Sequence, residues 1–366
     1  MVLDFKQLIQ DMERNKASDL HLKPGSVPIY RIHGVLTQAN HPVLAKEEVQ
    51  ALAEKLIPPD LMPYFHEHGA VDFAFGTDKN TRFRTNVFRQ KGMISIALRR
   101  LTAENLDIEE LGLPPILYKI AMYLQGMVLV TGPTGCGKST TMAALINQIN
   151  ATRREHIITI EDPIEFVFRD KMSVIQQREV GLDTSGFEIA LRHALREDPD
   201  VILIGEMRDR ETIMIAMRAA LTGHLVISTL HTTTALQTIN RIQQYFDPSY
   251  QTSLREELSL SLKAVLSQRL VPALQKGRVP VFEILIVNDI VRNLIRENRA
   301  VDVERVIQNR EEGMQSADQH LAELVRSRVI KFETGLMFAH DQAHFKRMVE
   351  GLTAGTDRSA ILGGMG

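Results

Sequence analysis

Apolar positions follow two regimes along the chain. Over the first hundred residues they recur in short segments with either helical or alternating spacing. Phe5, Leu8, Ile9 and Met12 fall on one face of a helix predicted over residues 2–14. Residues 18–22, Ser-Asp-Leu-His-Leu, alternate as a strand, and residues 29–35 read as a second strand turning at Gly34. A helix over 45–57 is stopped by Pro58 and Pro59. Residues 71–75, 82–88 and 94–98 are three more strand-like runs, parted by turn residues such as Gly76 and Gly92. Residues 1–101 are therefore expected to form a small α+β domain with an antiparallel sheet.

Beyond Leu101 the regime changes. Residues 102–115 are polar and close in Leu-Gly-Leu-Pro-Pro, a stiff sequence suited to a linker or hinge. From residue 116 onward, short unbroken apolar runs at 127–130, 157–160, 201–204 and 225–228 are separated by helical segments at about 138–150, 184–196 and 209–221. Strands without alternation, interleaved with helices, predict a parallel sheet covered on both faces. Residues 250–366 read as mostly helical, apart from a hairpin near 269–285. Residues 116–366 are taken as one α/β domain with helical C-terminal extension.

Composition narrows the class. Lys and Arg number 43 against 45 Asp and Glu, so a generally basic nucleic-acid binder is disfavoured. One cysteine in 366 residues excludes an intramolecular disulfide and a cysteine-rich zinc module, and fits a reducing compartment. The first residues carry Asp4 and Lys6 and lack the apolar core of a signal peptide. No stretch approaches the ~18 apolar residues of a spanning helix. A cytoplasmic, multi-domain protein is expected.

The chemistry centres on Gly132-Pro133-Thr134-Gly135-Cys136-Gly137-Lys138-Ser139, followed by Thr140. It matches G-x-x-x-x-G-K-[ST] in full, after an apolar strand and before a helix. Glycines let backbone N–H groups turn around phosphate oxygens, and the helix adds its positive end. Lys138 is expected at the β- and γ-phosphates of ATP and the Ser139 hydroxyl on Mg²⁺. Glu161 stands at the tip of its strand, where a carboxylate can hold the attacking water. Residues 200–206, Asp-Val-Ile-Leu-Ile-Gly-Glu, form a second apolar strand ending in an acid. Glu206 is expected to hold Mg²⁺ directly or through water. Either acid alone would equally suit a helix cap or a solvated loop end; two on adjacent strand tips beside a phosphate loop favour function. Residues 223–232 place His224 and His231 at opposite ends of one strand, a poor metal pair. His231 suits a γ-phosphate sensor or an ordinary capping turn. Cys136, just before a helix, suggests a thiol with lowered pKa, or simply a small residue where one is needed.

These blocks together resemble one family, the secretion-type ATPases of type IV pili and type II secretion, and most closely its pilus-retraction members. Residues 161–165 are similar to the family's Asp box, 200–209 to its atypical Walker B and 223–232 to its His box. The likeness begins at residues 18–22, continues through Gln177-Arg-Glu-Val-Gly181 and reaches the C-terminal helices. Residues 290–297, Ile-Val-Arg-Asn-Leu-Ile-Arg-Glu, are similar to the AIRNLIRE segment of retraction members. Read by itself, that segment is an amphipathic helix with Ile290, Val291, Leu294 and Ile295 as its apolar stripe. The resemblance implies a PAS-like N-terminal domain, a RecA-like P-loop NTPase domain and a homohexamer. It also implies retraction of the pilus through an inner-membrane platform protein, with a paralogous retraction ATPase as a further partner. Pilus-assembly and type II secretion members are the alternatives, with a RecA-like nucleic-acid translocase behind them. It further offers a role for Arg82, Arg84 and Arg99, as groups that offset charge on the γ-phosphate. A solvated strand face or a nucleic-acid patch would account for the same arginines.

Overall fold

The computed structural model describes residues 4–32, 34–76, 82–101, 106–275 and 277–351, which divide into two compact units. The start of the expected first helix at residues 2–3, residues 102–105 of the expected linker and the C-terminal residues 352–366 lie outside the described residues.

The first unit takes in residues 1–104 together with 165–167. Its helices are α1 (Phe5–Arg14), α2 (Lys46–Leu56) and α3 (Met62–His68). Its strands are β1 (Ala17–Leu22), β2 (Ile29–Ile32), β3 (Val35–Gln38), β4 (Ala70–Gly76), β5 (Arg82–Gln90) and β6 (Met93–Leu101). All pairings are antiparallel, in the order β3-β2-β1-β6-β5-β4. Alternation explains the strands: on β5, Phe83, Thr85 and Val87 are buried, while Arg84 is exposed and Arg82 and Asn86 are half-buried. The stripe of α1, through Leu8, Ile9 and Met12, closes over Leu20, Leu22, Ile96 and Leu98. Asp4 caps that helix by accepting the Gln7 N–H at 3.0 Å. The expected second strand is two, β2 and β3, with Gly34 in the turn between them at a φ of 83°.

The second unit contains α4 (Ile116–Ile120), β7 (Gly126–Thr131), α5 (Lys138–Thr152), β8 (His156–Glu161), β9 (Val174–Glu179) and α6 (Phe187–Ala194). There follow β10 (Val201–Ile204), α7 (Arg210–Leu221), β11 (Leu225–Leu230), α8 (Ala235–Gln244), α9 (Gln251–Ser261), β12 (Leu262–Pro272) and β13 (Arg278–Ile286). The last helices are α10 (Asp289–Arg296), α11 (Val303–Gln308), α12 (Ala317–Arg326), α13 (Phe332–Phe338) and α14 (Gln342–Val349). The sheet runs β13-β12-β7-β11-β10-β8-β9, parallel throughout except for β13 at one edge. Every residue of β7, β10 and β11 is buried, as unbroken apolar strings in a doubly covered sheet require.

Three features differ from the sequence reading. The C-terminal hairpin starts at Leu262 and its first strand joins the parallel sheet beside β7. Strand β9 was not expected, because its burial alternates weakly along a polar, outermost strand. Part of the segment expected as a linker belongs to the second unit: Ile108 and Leu113 are buried in the same core as Leu117 and Met127.

Candidate nucleotide site

The parallel strands deliver four segments to one edge of the sheet. Residue pairs Thr131–Leu230, Ile204–Ser228 and Ile204–Ile160 align the carboxyl ends of β7, β11, β10 and β8. The phosphate loop leaves β7, His231 follows β11, Glu206 follows β10 and Glu161 ends β8. Such an edge is where open α/β sheets receive ligands. The two acids stand on neighbouring strands, and β11, carrying His231, separates them from the strand of the loop.

The loop's shape has a local cause. Gly132 has a φ of 143°, and a Cβ there would lie 2.2 Å from the Gln268 carbonyl oxygen and 2.6 Å from Cys136 Sγ. Gly137, at 92°, caps α5 from the left-handed region, and its Cβ would meet Gln268 Nε2 at 2.9 Å. Pro133, Thr134 and Gly135 form the exposed crest. Lys138 Nζ donates to the Gly132 carbonyl at 2.8 Å and to Pro133 at 3.1 Å, which folds the ammonium back over the loop. Ser139 and Thr140 follow it in the half-buried first turn of α5.

Cys136 decides between the two readings its sequence allows. Its thiol is buried, and burial pushes its pKa up, against the pull of Lys138 and nearby backbone N–H groups. The helix end is outweighed by desolvation, so the residue is a small packed side chain.

Glu161 Oε1 accepts the Thr159 hydroxyl at 2.6 Å and Gln177 Nε2 at 3.2 Å. Thr159 is two residues back on the same strand face, and Gln177 sits on β9. Glu206 follows Gly205, whose N–H donates to Ile160 O at 2.7 Å and whose carbonyl accepts Thr229 Oγ1 at 2.7 Å. The strand end is thereby pinned on both sides. Glu206 then pairs with Arg208 through one oxygen and lies 3.3 Å from His231 Nε2 through the other. His224 instead places Nδ1 2.9 Å from Ala219 O at the far end of β11. An extended strand puts the two histidines about 23 Å apart.

Magnesium fits the donors present: the Ser139 hydroxyl and the Glu206 carboxylate are hard oxygen ligands. Among the described residues, no group of three or more His, Cys, Asp or Glu is placed to hold a metal ion.

The arginines of the first unit separate into two kinds. Arg84 pairs with Arg99 across β5 and β6. Arg99 Nε donates to Asp19 Oδ1 at 2.9 Å, and Asp19 is only 6% exposed. Arg99 is thus engaged in holding β1 to β6, whereas Arg84 lies on the exposed face of β5.

The sequence reading missed Gln268 and Gln177. Gln268 stands in a run from Leu262 to Val271 that Lys263, Ser267 and Arg269 also break, so nothing local singles it out. Helix α10 also departs from expectation. Val291, Leu294 and Ile295 are buried, but Ile290 is 52% exposed. Asn288 caps the helix by accepting the Val291 N–H, and at ~100° per residue Ile290 falls at the edge of the stripe made by Val291, Leu294 and Ile295.

Residues 2–335 match the family described as type II/IV secretion system protein. The chain is 43% identical over 332 residues to the type IV pilus retractation ATPase PilT of Pseudomonas aeruginosa, covering 90% of this chain and 96% of that protein. It is 48% identical over 305 residues to a twitching motility protein of Neisseria gonorrhoeae, covering 83% and 82% respectively. The crystal structure of the pilus retraction motor PilT with bound ADP is similar at a TM-score of 0.88 and 45% identity, over 94% of this chain and 99% of that one. With its phosphate loop, two strand-tip acids and strand-end histidine in place, the chain belongs to the type II/IV secretion system protein family.

Proposed function

We propose that this chain hydrolyses ATP to power retraction of type IV pili, as a ring of six subunits acting on a membrane platform protein. One observation carries the reading. A complete phosphate loop, Glu161, Glu206 and His231 leave the same edge of four adjacent parallel strands, in a chain closely similar to PilT over most of its length.

The phosphate loop binds the triphosphate through backbone N–H groups, and Lys138 moves from the loop carbonyls to the phosphates. Magnesium, held by Ser139 with Glu206 directly or through water, supplies positive charge against that developing on the phosphates. Glu161 orients the attacking water, its carboxylate held by Thr159 and Gln177. Glu206, braced by Arg208 and His231, completes the site. Arg82 and Arg84 of the first unit supply further positive charge in the assembled ring.

The test has a biochemical arm and a cellular arm. Purified protein should hydrolyse ATP, and Lys138→Ala should abolish both nucleotide binding and turnover. Cells lacking the chain should keep surface pili yet lose retraction. Absence of pili would instead indicate an assembly ATPase. Turnover dependent on added DNA would indicate a nucleic-acid translocase.

A further inference from the structure

The side chain that shapes the phosphate loop from outside is Gln268, on β12. It is 4% exposed, and both ends of its amide are engaged. Nε2 donates to the Cys136 carbonyl at 2.8 Å, and Oε1 accepts the Thr141 hydroxyl at 2.7 Å. A carbonyl oxygen only accepts, so the amide must present its NH₂ to Cys136 and its oxygen to Thr141. Its backbone carbonyl, 2.2 Å from where a Gly132 Cβ would stand, limits the start of the loop to glycine. One residue thus meets the loop's beginning, its last turn and the second turn of α5.

We propose that Gln268 is a positioning residue for ATP binding, holding the loop in its phosphate-receiving shape. The inference rests on the assignment of that loop as the ATP site. The mechanism is planar geometry. In a trans peptide C=O and N–H point in opposite directions. Fixing the Cys136 carbonyl on β12 therefore turns the Gly137 N–H away from β12, toward the phosphate-receiving side of the loop. Thr141 accepts the geometry one helical turn on, since its N–H donates to the Gly137 carbonyl at 3.1 Å. Without Gln268, the Cys136 carbonyl and the Thr141 hydroxyl are buried without these partners, and the loop gains freedom it must lose on binding.

Gln268→Met keeps the volume and removes both hydrogen bonds. It should raise the KM for ATP about tenfold or more, with kcat within about threefold, because the loss falls equally on ground and transition states. Gln268→Glu sets a carboxylate oxygen against the Cys136 carbonyl and should bind still more weakly. Thr141→Val cuts one bond, and the double variant with Gln268→Met should lose less than the product of the single losses. Thr141→Val reads the same contrast should Gln268→Met fail to fold. A merely structural residue would lower the thermal midpoint and kcat with KM unchanged. That pattern, a wild-type KM in Gln268→Met or Thr141→Val, or fully multiplicative losses would overturn the proposal. Binding of a fluorescent ATP analogue to the wild-type chain is measured alongside. Its failure would remove the nucleotide reading itself, a separate outcome.

Discussion

Glu206 Oε2 lies 3.3 Å from His231 Nε2 while its other oxygen pairs with Arg208, so two neighbouring loops fix one carboxylate. Glu206→Gln keeps the shape and removes the charge. It is expected to bind ATP within a few-fold of wild type and to lose about 10² or more in kcat. His231→Ala leaves Arg208 in place and should cost nearer tenfold, with KM unchanged. Steady-state kinetics and analogue binding check both. Turnover within twofold of wild type in Glu206→Gln would remove the carboxylate from the site.

The arginine pair across β5 and β6 should divide by assay. Burial alone would raise the Asp19 carboxyl, but hydrogen bonds from Ser18 and Arg99 and the Arg99 charge outweigh it and hold the pKa below 3.8. The pair therefore stabilises the fold above that pH, and the contribution is lost as pH falls through the lower folded value. Arg99→Ala should cost about 1 kcal/mol, discounted because the arginine is largely exposed. Arg84→Ala should leave the thermal midpoint unchanged and cut turnover by about 10² or more. A midpoint lowered by Arg84→Ala but not by Arg99→Ala would reverse the assignment.

Cys136 should react slowly with alkylating agents. Its raised pKa leaves little thiolate at neutral pH, and burial blocks access, so labelling should trail the unfolded chain by at least about tenfold. The rate should climb as pH rises toward and past the ordinary thiol value. Fast labelling at pH 7 would restore the activated-thiol reading.

Glu283 accepts the Ala235 N–H at 2.7 Å at the start of α8, the helix that follows His231. Burial, reinforced by Glu304, raises its pKa above 4.5, against the Ala235 N–H, Arg269 and His340. A raised folded pKa means that stability is greatest below the unfolded value and declines as pH rises through the folded one. Glu283→Gln should flatten that decline and make the protein as stable as wild type or more so at pH 7. Chemical denaturation at pH 5 and pH 8 would show it, and a larger loss at pH 8 than at pH 5 would refute it.

Exposure divides α10. Ile290→Ser should leave folding and ATP turnover intact, whereas Leu294→Ser, within the core, should cost about 2–4 kcal/mol. If Ile290 lies on a surface that passes force to the pilus machinery, its substitution should impair retraction in cells alone. Normal retraction would sink that role.

What could be read from the sequence follows the range of the interactions. The phosphate loop and the strands ending at Glu161 and Glu206 announce themselves locally, because a buried parallel strand is an unbroken apolar string and a loop around phosphate needs glycines in fixed places. Strand β9 was silent: Val174 is exposed, Gln176, Gln177 and Arg178 are polar, and an edge strand needs no apolar string. Gln268 was silent for another reason. Its partners lie 127 and 132 residues earlier in the chain, beyond the reach of any local pattern. The exposed Ile290 shows how a periodic stripe overestimates burial at its edge, where a side chain still matches the spacing but no longer faces the core.

The place of β12 beside β7 has a consequence for biosynthesis. The Thr131 hydroxyl meets Ser267 at 2.9 Å, yet 136 residues separate them. As the polypeptide leaves the ribosome, the phosphate-loop strand keeps one flank open until the distant hairpin emerges, and an open flank invites intermolecular association. Fragments ending before residue 272 should therefore precipitate rather than persist as smaller working units, and slow translation across that interval is when the nascent molecule most needs a chaperone.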